Sequence, residues 1–245
     1  MLLDVNETDA TVRKDVRNAC PTLWTNTARF RAGHKLHDAS LLGGIDDART
    51  RLARFAPLLA RVFPELEVTE GKIGSPLLAT PRMERALGLP PESGRLFVKC
   101  DHQLAVAGSI KARGGLHAVL QIAEDIADRH GLLDKVGYDG LNSAEVREVF
   151  SHYAISVGST GNLGLSVGMF ASILGFSATV HMSAAAKTWK KVRLREVGAI
   201  VVEHDGDYEK AVAAGRLAAQ HDAAAYFIDD ENSLPLLFGY ATAIG

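Results

Sequence analysis

Apolar and polar positions along this chain keep two rhythms, and the change between them falls near residue 150. Before it the period is helical. Leu52, Phe55, Leu58, Leu59 and Val62 recur at three- and four-residue spacing between Ala48 and Phe63. Leu116, Val119, Leu120, Ala123, Ile126 and Ala127 do the same along a helix that should stop near His130-Gly131. The apolar run Leu96, Phe97, Val98 reads as a strand leading into that second helix. Ser75-Pro76-Leu77 and Thr80-Pro81 read as a loop, because proline biases the residue before it away from helical backbone. Asp134 to Val149 is a polar, glycine-containing surface excursion with a short helix from Ser143 to Phe150.

From Tyr153 onward strand and helix alternate. The predicted strands are Tyr153–Val157, Ser177–Met182, Ala199–Glu203 and Ala225–Ile228. The helices between them are Asn162–Leu174, stopped by Gly175, then Lys187–Val197, stopped by Gly198, and the alanine-rich Asp207–His221. Alternation at crossover length predicts an α/β fold with a parallel sheet and right-handed connections. A helical N-terminal arm over 1–75, a lysine-helix segment over 76–150 and an α/β unit over 151–245 follow from this pattern.

Composition narrows the function classes. At 245 residues and 47% apolar, the chain can bury a substantial core. Its 27 basic and 29 acidic residues nearly cancel, and no basic block with interleaved aromatics appears, which argues against nucleic acid or an anionic membrane as partner. Cys20 and Cys100 have no metal spacing and are read as reduced thiols in or near the core. Asp4 and Glu7 interrupt any signal-like start, and the apolar run at 168–176 is too short to span a bilayer, so a cytoplasmic location is expected. Trp24 and Phe30 should pack across another element, while His34 and His37, three apart with no third ligand, are expected to be ordinary histidines.

Two stretches carry candidate chemistry. In Ser109-Ile110-Lys111-Ala112-Arg113-Gly114-Gly115, Gly108 or Ser109 would cap a helix with Lys111 in its first turn. The helix field there disfavours ammonium and favours free amine. Two glycines, each costing a helix about 1 kcal/mol against alanine, leave room for something flat beside the backbone. In Ser159-Thr160-Gly161-Asn162-Leu163-Gly164 a strand turns into a helix, where backbone N–H groups can receive a phosphate or carboxylate. A dinucleotide fingerprint is disfavoured, because no Asp or Glu occurs from Leu165 to Arg195 to take a ribose. Walker A, zinc-helix and nucleophile-elbow patterns are absent as well.

The lysine stretch and the asparagine turn, in that order, resemble the fold-type II pyridoxal-phosphate enzymes, their serine/threonine dehydratase group and, more narrowly, the bacterial D-serine dehydratases. The resemblance also covers Ser75-Pro76-Leu77, Lys99-Cys100-Asp101 and Asp229-Asp230-Glu231-Asn232-Ser233. It implies parallel sheets flanked by helices, with 76–150 in the cofactor-binding large domain and 151–245 mostly a small domain. It implies pyridoxal 5'-phosphate bound through Lys111 as a Schiff base, and a small amino acid as substrate. Ser159, Thr160, Gly161 and Asn162 would hold the substrate carboxylate, with Asn162 also reaching the cofactor's ring hydroxyl. Asp101 and His102 precede the lysine helix and receive no assigned role.

The family's glycine-rich phosphate cup and its partner for the pyridine nitrogen lie beyond Asp229–Ser233. The adjacent glycine pairs here, Gly43-Gly44 and Gly114-Gly115, are not placed to form that cup. The expectation is therefore a chain with an incomplete large domain, weak cofactor binding and exposed sheet surface. An L-serine or L-threonine dehydratase, or a non-catalytic module whose turn binds an anion, are the alternatives. The sequence names no protein partner.

Overall fold

The computed structural model describes residues 12–21, 39–90, 92, 94–159, 161–205, 208–219 and 222–244. The chain divides into two units, Met1–Asp38 and Ala39–Gly245. In the first, a short helix covers residues 12–17. Its Cys20 is exposed, which corrects the expectation of a near-core residue. Trp24, Phe30, His34 and His37 lie outside the described residues.

The second unit opens with α1 (Ala39–Arg54) and α2 (Ala56–Val62). The single periodic stretch expected over 48–63 is thus two helices, parted at Phe55. Pro57, in the first turn of α2, explains the break, since it lacks an N–H to continue α1 yet suits a helix start. β1 (Leu77–Ala79), α3 (Pro81–Ala86) and β2 (Phe97–Lys99) follow. β1 and β2 pair antiparallel, with Leu78 opposite Val98. Leu77–Ala79 was expected in a loop. Three residues between two prolines are too few for any periodicity to register.

α4 (Lys111–Arg129) buries Leu116, Val119, Leu120, Ala123, Ile126 and Ala127, the stripe its spacing predicts. The short helices α5 (Leu133–Val136) and α6 (Ala144–Ser151) lead to the regular half. There β3 (Ala154–Gly158), α7 (Asn162–Leu174), β4 (Ser177–Ser183), α8 (Thr188–Glu196), β5 (Ile200–His204), α9 (Tyr208–Ala219), β6 (Ala225–Ile228) and α10 (Leu234–Ala241) alternate. The four strands form one parallel sheet in the order β5-β4-β3-β6. Gly175 at φ +102° ends α7 and Gly198 at φ +88° follows α8, left-handed positions that glycine adopts without a Cβ penalty.

The two sheet faces differ. Ala178, Val180 and Met182 are buried on one face, where Val180 meets α7 at Gly164 and Gly168. His181 points to the other face and meets α9 at Gly215. From β3 the chain crosses to β4 on one side, while β6 sits on the other. The loops leaving the carboxyl ends of β3 and β6 therefore part, and such a switch point leaves a crevice for a ligand.

Candidate functional site

Lys111 follows β2 in the chain, and its amine meets the loop after β6. Val106 (φ +71°) and Gly108 (φ +61°) turn the chain sharply, and α4 begins at Lys111. A β-branched residue in the left-handed region is uncommon, and Val106 keeps that backbone while nearly fully buried. The Ser109 hydroxyl accepts the Lys111 N–H at 3.3 Å, so Ser109 does serve the helix start, although Ile110 is the residue before it.

The Lys111 side chain is 32% exposed, and Nζ donates to Asp230 Oδ1 at 2.9 Å. The same nitrogen stands 4.6 Å from the centre of the Tyr240 ring. Sequence reasoning placed Lys111 in the first turn but left its nitrogen without a counter-charge. The missed carboxylate comes from the loop after β6. Its signal was the acidic run 229–231, which carried no role until the fold brought it here. Arg216 Nη2, 2.5 Å from Asp229 Oδ2, and the Glu231 N–H, 3.0 Å from Asp229 Oδ1, pin this loop. Burial raises the Asp229 pKa, but hydrogen bonds from Glu231, Arg216 and Asn232 outweigh it and hold the carboxyl below its ordinary value.

The room beside Gly114 and Gly115 is taken by the protein itself. A Cβ on Gly114 would fall 2.1 Å from the Tyr240 ring, and one on Gly115 would fall 2.1 Å from Ser166 Oγ. The flat group expected at this backbone is thus a tyrosine of α10. Ser166, fully buried on α7, shares its hydroxyl proton between the Lys111 and Leu163 carbonyls, both at 3.0 Å. That bond fastens the first turn of the lysine helix to the first turns of the asparagine helix.

At the β3 turn, Ser159 is 4% exposed, and its hydroxyl accepts the Gly161 N–H at 3.3 Å. α7 starts at Asn162, as expected. Thr160 lies outside the described residues. Asn162 Oδ1 accepts from Lys190 Nζ at 2.8 Å, a partner from α8 that sequence reasoning also missed. Burial first, and Lys187 second, lower the Lys190 pKa.

Two neighbouring ionisable groups are held by other groups of the protein. Asp101 accepts from Lys99 Nζ at 2.8 Å and from Ser75 Oγ at 2.6 Å, and those bonds, Lys99 first, hold its carboxyl below the usual range. His117 is 1% exposed. Its Nδ1 faces the Pro235 carbonyl at 2.7 Å and its Nε2 faces Arg51 Nη1 at 3.1 Å. An arginine only donates, so Nε2 accepts and the proton sits on Nδ1. A cavity of about 490 Å³ borders Gln121, Asp125, Tyr226 and Asn232, but neither Lys111 nor Asn162 lines it. Among the described residues no helix is long and apolar enough to cross a membrane, and no group of three metal-ligating side chains forms.

Residues 68–244 match the family described as "Pyridoxal-phosphate dependent enzyme". A protein of Acidovorax sp. strain JS42 named "Probable D-serine dehydratase" is 53% identical over 236 residues, covering 93% of this chain and 52% of the relative. One of the same name from Desulfitobacterium hafniense is 47% identical over 242 residues, covering 95% and 54%. The chain thus spans about half the length of the curated relatives it matches. Among solved structures, diaminopropionate ammonia lyase from Escherichia coli in complex with D-serine superposes with a TM-score of 0.57 at 20% identity, over 78% of this chain and 47% of that one. That likeness speaks to the fold.

Proposed function

From the premise that this chain belongs to the pyridoxal-phosphate-dependent enzyme family, we propose that it serves the β-elimination of D-serine to pyruvate and ammonia. Lys111 is the amine that takes the cofactor's aldehyde, and Ser159, Thr160, Gly161 and Asn162 receive the substrate carboxylate. Relatives at about half identity that carry the D-serine name support the substrate. One observation carries the reading. The Lys111 amine, bonded to Asp230 at 2.9 Å, lies where the loop after β6 meets the helix that α7 holds through Ser166. In the same reading, 76–150 belongs to a large domain and 151–245 mostly to a small one.

The residues present fit the aldehyde end of the cofactor. A partly exposed primary amine stands at a helix start, with a side-chain amide one turn before Ser166 on the helix beside it. Neither glycine pair fits the phosphate, since Gly44 faces the Phe238 ring, Gly114 the Tyr240 ring and Gly115 Ser166. We assign the phosphate to no residue of this chain. When bound, the cofactor supplies an electron sink for the charge left on Cα.

The chain's own groups then have plain tasks. Lys111 Nζ takes the Cα proton, and Asp230 steadies the resulting ammonium as charge-assisted hydrogen bonds do. The ammonium proton leaves with the Cβ hydroxide as water. Backbone N–H groups at the α7 start orient the substrate carboxylate.

The test is covalent. With excess pyridoxal phosphate the chain should absorb at roughly 400–430 nm, where lysine-bound cofactor absorbs, and borohydride should fix the label on Lys111. Label that persists in Lys111→Ala would overturn the assignment. Turnover of D-serine but not of L-serine or L-threonine separates this reading from an L-amino-acid dehydratase.

A further inference from the structure

We propose that Lys190 is a positioning residue that sets the orientation of the Asn162 amide, turning its NH2 group away from α8 and leaving it as the donor a ligand meets. This rests on the reading of Asn162 as a cofactor contact. The argument begins with the donor inventory. An ammonium carries three N–H donors and no acceptor, whereas a side-chain amide offers an oxygen at one end and two N–H donors at the other. A lysine nitrogen 2.8 Å from Asn162 can face only the oxygen. The amide oxygen is thereby held toward Lys190, which leaves the NH2 group for another partner.

The neighbouring cations show that Lys190 is free for this task. On the same helix, Lys191 pairs with Glu203 at 2.6 Å, Arg195 with Glu203 at 2.8 Å and Arg193 with Glu65 at 3.6 Å. Lys190 instead crosses to α7, with its charge 5.5 Å from the Trp189 ring centre. It is partly buried there, where a hydrogen bond to an amide gains strength from the reduced dielectric. A ring oxygen carrying negative charge wants a donor. Without Lys190, the amide is free to present its oxygen instead, an acceptor facing an anion.

The consequence is directional. Lys190→Arg keeps a donor-only group and should keep the orientation. Lys190→Met removes it at similar length, and Lys190→Gln supplies a group that can meet either end of the amide. In 15N-labelled chain without cofactor, the Asn162 NH2 resonances, identified by their loss in Asn162→Asp, should shift or broaden in Lys190→Met. They should stay near their native positions in Lys190→Arg, while the remaining amide resonances report an intact fold. In cofactor-loaded protein, Lys190→Met should lower kcat about tenfold with KM for D-serine within about threefold, and shift the absorbance band that the cofactor's ring oxygen influences. Arginine should restore both, and glutamine should fall between. Unchanged Asn162 resonances in Lys190→Met, or no rescue by arginine, would overturn the proposal. Failure of the proposed function shows itself elsewhere, as borohydride label that survives Lys111→Ala, and leaves the resonance prediction intact.

Discussion

Burial pushes the His117 pKa down to about 4, against the reference value near 6.5, with the Arg51 charge adding to the effect. Between those values the unfolded chain binds more protons than the folded one, so stability rises with pH across that window. It is complete above about 6.5 and drains away as pH falls toward 4. From pH 7 to pH 5 this single group should cost about 2 kcal/mol. Unfolding free energies from urea titrations at the two values should differ in the native chain by that much more than in His117→Asn, which keeps a donor toward Pro235 but does not titrate. Equal pH dependence in both chains would refute this account. Residues of this kind show how far a sequence can be read. Lys111 and Asn162 were noticeable in the sequence because a local pattern surrounds each of them. Asp230 and Lys190 were not, because 119 and 28 positions separate them from the groups they hold. No spacing rule reaches across a fold.

Glycines decide how α4, α7 and α10 meet. A Cβ on Gly239 would fall 2.7 Å from Gly114 Cα, so α4 and α10 cross almost backbone to backbone. Alanine at Gly115 would gain about 1 kcal/mol of helix propensity. Set against that is overpacking of about 1–3 kcal/mol where Ser166, short and buried, cannot swing away. The second effect wins. Gly115→Ala should lower the urea midpoint and, by pushing the first turn of α4 off α7, slow borohydride labelling of Lys111. A midpoint at or above the native value would show that the helices have room. The parallel block from β3 to β6 was legible because each unit is an apolar run closed by a glycine such as Gly175 or Gly198. The β1–β2 ribbon was not, since its pairing is a property of two short segments together. The break at Phe55 was missed for a related reason, as apolar periodicity carries smoothly through Pro57.

Across the whole molecule, the parallel sheet is covered on both faces while the β1–β2 ribbon is not. Leu77, Leu78, Phe97 and Val98 are 42–61% exposed, and a paired ribbon with bare apolar side chains and open edges invites self-association. The isolated chain should therefore show a concentration-dependent rise in mass by light scattering, and Leu78→Lys with Val98→Lys together should suppress it without moving the thermal midpoint. Persistence of the larger species in the double variant would point to another surface.

The bond from Lys111 to Asp230 spans 119 residues of sequence. A ribosome adds residues one at a time, at about 5–20 per second, so the amine is made at least several seconds before its carboxylate exists. Throughout that interval a nascent chain carries a lysine whose counter-ion has yet to be translated. The ion pair is thus completed only once the loop after β6 has been made, and its closure reports that β6 has taken its place beside β3.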